Sequence, residues 1–257
     1  MLPKKSWWLV ASGLVVLLAA IWLIKFKPPS NTLGVSEKQP FDHTLVFIGD
    51  SMTEYLGNFD ELRADLKHYY PNQNILLLNY AYSATNILSV KDRLEKDSAH
   101  SNRTFQAVNE INFDYVFIES MGHNPLSEHP LAEGLKLQTQ ALDEIVASLT
   151  IKHPKSAIIF VATISPNRDR YAERVADLST KQRQEWSDER SAYIKNHIKY
   201  AVDHQIPLIN VFEKSLDESG TGSISYISSG DFIHPSPTGI YFISQEIADF
   251  IHKNNLI

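Results

Sequence analysis

The stretch LVFIGDSMTE, residues 45–54, runs four apolar residues into Gly49, Asp50 and Ser51, and so sets a hydroxyl at the tip of an apolar run. A serine hydroxyl becomes a nucleophile when a base stands within hydrogen-bond reach and a third group orients that base. Residues for such a relay lie near the other end of the chain, in GDFIHPSPTG (230–239). Asp231 and His234 are three apart, and in a turn this spacing lets the carboxylate hold one ring nitrogen while the other faces Ser51. Acyl transfer also needs donors for the oxygen that turns negative. ESMGHNPL (119–126) offers the Asn124 amide just after Gly122, a residue that permits a tight turn. NYAYSATN (79–86) offers a backbone N–H from a loop whose small Ser83 and Ala84 let the chain approach a ligand.

Each piece also has a plainer use. Ser51 can cap a helix, Asp231 can do the same, Asn124 can shape a turn before Pro125, and 79–86 can be an ordinary loop of small residues. Gly-Asp-Ser alone arises by chance in roughly one chain in twenty of this size. Weight therefore comes from placement, and placement depends on the elements.

Continuous rather than alternating apolar runs mark strands at 44–50, 74–80, 113–120, 156–164 and 207–212. Such runs are buried on both faces, as in a parallel sheet covered by helices. Amphipathic faces predict helices over 133–149 (Leu135, Leu142, Ile145, Val146, Leu149), 182–204 (Trp186, Tyr193, Ile194, Ile198, Ala201, Val202) and about 237–252 (Ile240, Ile243, Ile247, Ile251). The alternation predicts a three-layer, doubly wound α/β domain with ligands beyond the carboxyl ends of the strands, where all four stretches would lie. Gly49 is expected to take an unusual backbone angle there, with a helix starting at Ser51. The charged stretch 165–183 reads as a solvated helical excursion; the sharper reading is a flap that brings Arg168 or Arg170 to substrate.

The chain has 257 residues, a net charge of −6 and no cysteine, which excludes disulfides and thiolate metal sites. No H-E-x-x-H occurs, and no metal site is expected around His123, Glu128 and His129. Residues 1–29 contain Lys4, Lys5, Lys25 and Lys27 and no acid, leaving 20 basic against 30 acidic residues in the remainder. A body of that charge repels nucleic acid, so no nucleic-acid partner is expected. WWLVASGLVVLLAAIWLI, residues 7–24, has 18 residues without a charge and tryptophans at both ends. At ~1.5 Å per residue it would extend about 27 Å, close to a bilayer's hydrocarbon thickness. It exceeds the roughly 7–15 residues of a signal-peptide core, and no small-x-small site follows. The expected organisation is an uncleaved membrane anchor over 1–27, a polar linker with three prolines over 28–43, and a globular domain over 44–257. The reading places the protein in the cell membrane as a single-pass protein with that domain on the extracytoplasmic side.

Taken together, the four stretches resemble the SGNH hydrolases, also called the GDSL esterase/lipase family. Gly49, Asp50, Ser51, Thr53 and Glu54 match the family's first block; Asn124, after Gly122, matches its Gly-x-Asn block; Asp231 and His234 match its last block. The order holds across residues 45–236, nearly the whole globular part. In two places the chain departs from the family: Ala84 stands where the second block has Gly, and Pro125 where an Asp follows the Asn. The resemblance implies a flavodoxin-like five-stranded parallel sheet and no cofactor. It implies Ser51 as nucleophile, His234 as base then acid, Asp231 orienting the histidine, and an oxyanion hole from the N–H groups of Ser51 and Ala84 with the Asn124 amide; Gly49, Asp50 and Gly122 would support them. The implied reaction is hydrolysis of a short-chain ester, acetyl foremost, on a small molecule or an envelope glycan. The alternatives are an O-acyltransferase using the same site, which would need a donor partner, and a non-catalytic glycan-binding domain.

Overall fold

The computed structural model describes residues 41–257, the compact unit Phe41–Ile257. The expected anchor, and the linker as far as residue 40, lie outside the described residues. Among the described residues no helix is long and apolar enough to cross a membrane.

In chain order these residues form β1 (His43–Gly49), α1 (Ser51–Glu54), α2 (Asp60–Tyr69), β2 (Ile75–Ala81), α3 (Val90–Glu95), β3 (Ser98–His100), β4 (Arg103–Phe105), β5 (Tyr115–Glu119), α4 (Leu131–Lys152), β6 (Ala157–Ala162), α5 (Thr180–Asp203), β7 (Leu208–Asn210), α6 (Val211–Lys214) and α7 (Pro237–Lys253). The main sheet has the order β2-β1-β5-β6-β7 with every pair parallel. All five expected strands are therefore present, in the flavodoxin-like order. Alternate residues of each strand enter opposite cores. Leu45, Phe47, Phe117, Ile159 and Val161 pack towards α2 and α7, while Val46, Ile48, Val116, Ile118 and Phe160 pack towards α3, α4 and α5. Burial on both faces is the physical reason for the unbroken apolar runs.

The register aligns the strand ends that matter. Gly49 lies opposite Ala81, Ile48 opposite Ile118, and Glu119 opposite Val161, so the segments leaving β1, β2 and β5 emerge on one rim.

Four expectations need correction. Segment 165–183 is not a helical excursion: it is turn and coil up to Ser179, which caps α5, and it buries Asn167, Tyr171 and Ala172. On α5, Trp186 and Val202 do not join the buried face; they are 40% and 66% exposed. β7 ends at Asn210 because the Asn210 side chain accepts from the Glu213 N–H and starts α6. The hairpin of β3 and β4 was not foreseen. Its three-residue strands carry no apolar run, and its turn depends on Ser101 and Asn102 at φ 49° and 61°.

Candidate active site

Ser51 opens α1, but Asp50 caps it, accepting the Met52 N–H at 2.8 Å. The Ser51 hydroxyl is thus spared the capping role and stands 2.9 Å from His234 Nε2. His234 Nδ1 is 2.7 Å from Asp231 Oδ2, so the carboxylate fixes the tautomer with Nδ1 as donor and Nε2 as acceptor towards the serine. The other carboxylate oxygen accepts the N–H groups of Ile233 and His234 at 2.8 and 3.0 Å. Asp231 therefore closes the turn and holds the ring at once, and the cap of α7 falls to Ser236. Burial acts to raise the Asp231 pKa, but these three hydrogen bonds together hold it below the ordinary carboxylate value. On the face of the imidazole lies Tyr55, with ring centroids 4.1 Å apart and planes within 2°.

The Asn124 side chain donates from Nδ2 to Asp50 Oδ2 at 2.8 Å, which leaves its second amide hydrogen for another acceptor. Asp50 is wholly buried, and its own N–H donates to Glu119 Oε2 at 3.3 Å. Glu119 Oε1 accepts from Ser120 Oγ and the Met121 N–H at 2.7 and 2.9 Å. Burial, and then the charge of Asp50, push the Glu119 pKa well above its ordinary value.

The glycines work differently from the expectation. Neither Gly49 nor Gly122 has a positive φ. A Cβ on Gly49 would sit 2.3 Å from Thr53 Oγ1, and one on Gly122 would sit 2.3 Å from Ile194 Cγ1 on α5. They are there for close approach, of α1 and of α5 respectively. The left-handed angle falls instead on Ala84, at φ 57°. Among the described residues neither the Ser51 nor the Ala84 N–H has a backbone or side-chain acceptor, and both residues line a cleft with Asn124 and His234.

Two charged side chains brace this rim. Glu54 accepts the Ser83 N–H at 2.8 Å as well as the Ser83 hydroxyl, which fixes the loop that carries Ala84. Burial acts against its ionisation, but the Ser83 hydrogen bonds and nearby His100 hold its pKa below the ordinary value. Arg93 is buried and donates to the carbonyls of Gly49 and Tyr80 at 2.7 and 3.2 Å and to Thr85 and Ser89, tying β1, β2 and the Ala84 loop together. Burial lowers its pKa to about 10, so it stays charged at neutral pH.

The cleft has a volume of about 330 Å³, and its far wall is formed by Tyr171, Trp186 and Arg190. His123 also lines it; burial drives its pKa down to about 4, and its ring nitrogens face the Ile164 carbonyl and the Tyr171 hydroxyl at 3.3 and 3.4 Å. Arg168 and Arg170, the expected flap cations, do not line this cleft; they pair with Asp188 and Glu173. Sequence reasoning missed Tyr55, Glu119, Arg93 and Arg190, and set Trp186 in the core. Four of these five carried a signal. Tyr55 follows Ser51 by four residues, Glu119 is an acid ending a fully buried strand, and Trp186 and Arg190 stand at i,i+4 on one helix.

No protein-family model matches the chain, and no curated protein matches it. Solved structures do. A GDSL-like lipase from Bacteroides thetaiotaomicron superposes with a TM-score of 0.55 at 13% identity, over 82% of this chain and 89% of that one. An acetyl xylan esterase, AlAXEase, gives 0.57 at 14% identity over 80% and 98%. A candidate GDSL-like lipase from Parabacteroides merdae gives 0.58 at 14% identity over 84% and 97%. At such identities the likeness shows the fold, which is the one GDSL/SGNH hydrolases use.

Proposed function

We propose that the protein is a serine esterase that hydrolyses short acyl esters, acetyl esters foremost, on carbohydrate. The observation that carries this reading is the continuous chain from Ser51 Oγ through His234 to Asp231, with both hydrogen bonds under 3 Å. In the first half-reaction His234 Nε2 takes the Ser51 proton as Oγ bonds to the ester carbonyl carbon. The carbonyl oxygen turns negative against the N–H groups of Ser51 and Ala84 and the free amide hydrogen of Asn124. The C–O bond to the alcohol then breaks, and His234 returns the proton to the departing oxygen. Water repeats the sequence against the acyl-serine, releasing the acid and restoring Ser51. Asp231 stays ionised throughout, as its lowered pKa favours, and stabilises the imidazolium. The acetyl xylan esterase among the structural neighbours supports the acetyl and carbohydrate part of the proposal by analogy of fold.

The test is acetate release from p-nitrophenyl acetate and acetylated glycans. Ser51→Ala and His234→Ala should each lower kcat/KM by at least about 10³-fold, and Asp231→Asn by up to about 10⁴-fold. Asn124→Ala should cost about 10²–10³-fold, mostly in kcat. Equal rates in wild type and Ser51→Ala would end the reading.

A further inference from the structure

We propose, resting on the esterase reading, that Trp186, Tyr171 and Arg190 form a subsite beside Ser51 for an ester carried on an acidic sugar. The carboxylate of that sugar meets Arg190 while its ring lies on Trp186.

The proposal starts from α5. Trp186 and Arg190 are one helical turn apart and both face the cleft that holds Ser51 and His234. Trp186 is 40% exposed although it belongs to a helix packed on the sheet, and it lines the cleft wall beside the Arg190 guanidinium, so part of the indole is open to solvent. A flat apolar surface of this kind suits the apolar face of a sugar ring. Arg190 is the sole arginine or lysine among the residues lining the cleft. Its guanidinium lies 4.8 Å over the Trp186 ring and 5.4 Å from the centre of the Tyr171 ring, which fixes its plane. A guanidinium held this way is a preset fork for a carboxylate.

That fork is incompletely used. Nη1 donates to Glu189 at 2.6 Å and to the Trp186 carbonyl at 3.3 Å, while Nε is buried without a partner. Glu189 precedes Arg190 directly, and adjacent helical residues point about 100° apart, so this pair reaches around the helix instead of along one face. Glu189 is also engaged by the Ser127 hydroxyl at 3.0 Å. With five N–H donors to fill, the guanidinium retains capacity for a second acid. The acidic body of the protein works against an anionic ligand at long range, but that field is screened beyond about 8 Å at physiological salt, whereas Arg190 acts at contact.

The experiment uses the full-length chain in detergent. It compares acetate release from O-acetylated oligogalacturonate and from O-acetylated xylo-oligosaccharide, and scores the ratio of the two kcat/KM values. Wild type should favour the acidic glycan. Arg190→Gln should lower the ratio at least tenfold and Arg190→Lys by less. Glu189→Gln, which removes the competing carboxylate, should raise it, so the two sites move the ratio in opposite directions. As a readout independent of turnover, Ser51→Ala should bind de-esterified oligogalacturonate in a salt-sensitive way, and the double variant with Arg190→Gln should not. A ratio at or below one in wild type, or one unmoved by Arg190→Gln, overturns the subsite while leaving the esterase intact. Absence of hydrolysis of every ester, p-nitrophenyl acetate included, overturns the esterase reading itself.

Discussion

In the proposed reaction the imidazole takes and returns a proton in each half-reaction, and so must keep its plane while its charge changes. Asp231 holds one edge of His234, and Tyr55 holds its face by stacking at 4.1 Å. The tyrosine is 45% exposed, so this contact is not a by-product of core packing. Stacked aromatic pairs contribute about 0.5–1.5 kcal/mol beyond area burial, which corresponds to about 2–10-fold in rate. Tyr55→Ala should lower kcat on p-nitrophenyl acetate by about that factor, and Tyr55→Phe, which keeps the stack, should restore it. A Phe variant as slow as the Ala variant would assign the effect to the hydroxyl instead. Ala84 poses a different question at the same scale. Its φ of 57° costs an L-residue roughly 1–2 kcal/mol, while glycine adds roughly 0.5–1 kcal/mol of chain entropy to be lost on folding. Ala84→Gly should therefore be neutral or stabilise by up to about 1 kcal/mol in denaturant titration, with esterase activity retained. A loss of more than about 1 kcal/mol would mean that the angle is not strained. That Ser51, Asp231 and His234 meet was legible in the sequence because the proposed reaction restricts the residue types and their order. Tyr55 and Arg190 were harder to see, since an aromatic or an arginine on a helix has many ordinary uses.

At the scale of elements, the carboxyl ends of β1 and β5 bring Asp50 and Glu119 together, both buried. Two carboxylates so placed cannot both ionise cheaply, and the structure resolves this by raising Glu119. The folded state then binds this proton more tightly than the unfolded chain does. The resulting stabilisation is complete below the ordinary value of 4.5 and is lost as pH rises through the raised value. Glu119→Gln mimics the protonated side chain at every pH. Wild type should therefore lose stability relative to this variant as pH climbs above 4.5, with a slope of at most about 1.4 kcal/mol per pH unit until the raised folded value is passed. A difference that stays flat from 4.5 upward would show that the Glu119 pKa is not raised. The five strands and the three long helices could be read from the sequence, because burial on two faces or on one stripe imposes a period. The β3–β4 hairpin and the path of 165–183 could not. The hairpin rests on its turn at Ser101 and Asn102, and the path of 165–183 on side-chain bonds such as Asn167 to the Gly222 carbonyl at 2.7 Å and Arg183 to the Tyr171 carbonyl at 2.6 Å.

For the whole molecule the open matter is how the acidic body relates to a membrane. Beyond residue 29 the chain has 30 acidic against 20 basic residues, so the body by itself is repelled by anionic lipid. The first 29 residues offer two separable attractions to a membrane: four lysines, at about 1 kcal/mol each near an anionic surface, and 18 uncharged residues over 7–24. The first attraction is abolished by high salt and the second is not, because burial of apolar surface does not depend on screening. If 7–24 spans the bilayer, the full-length chain should remain in the membrane pellet through both high salt and alkaline carbonate and leave only in detergent. A chain beginning at residue 41 should stay in the supernatant. Release by salt alone would reduce the association to the lysines. A mature amino terminus found downstream of residue 24 would make the segment a removed signal, free the body from the membrane, and shift the expected substrates from glycans near the membrane to those in the surrounding medium.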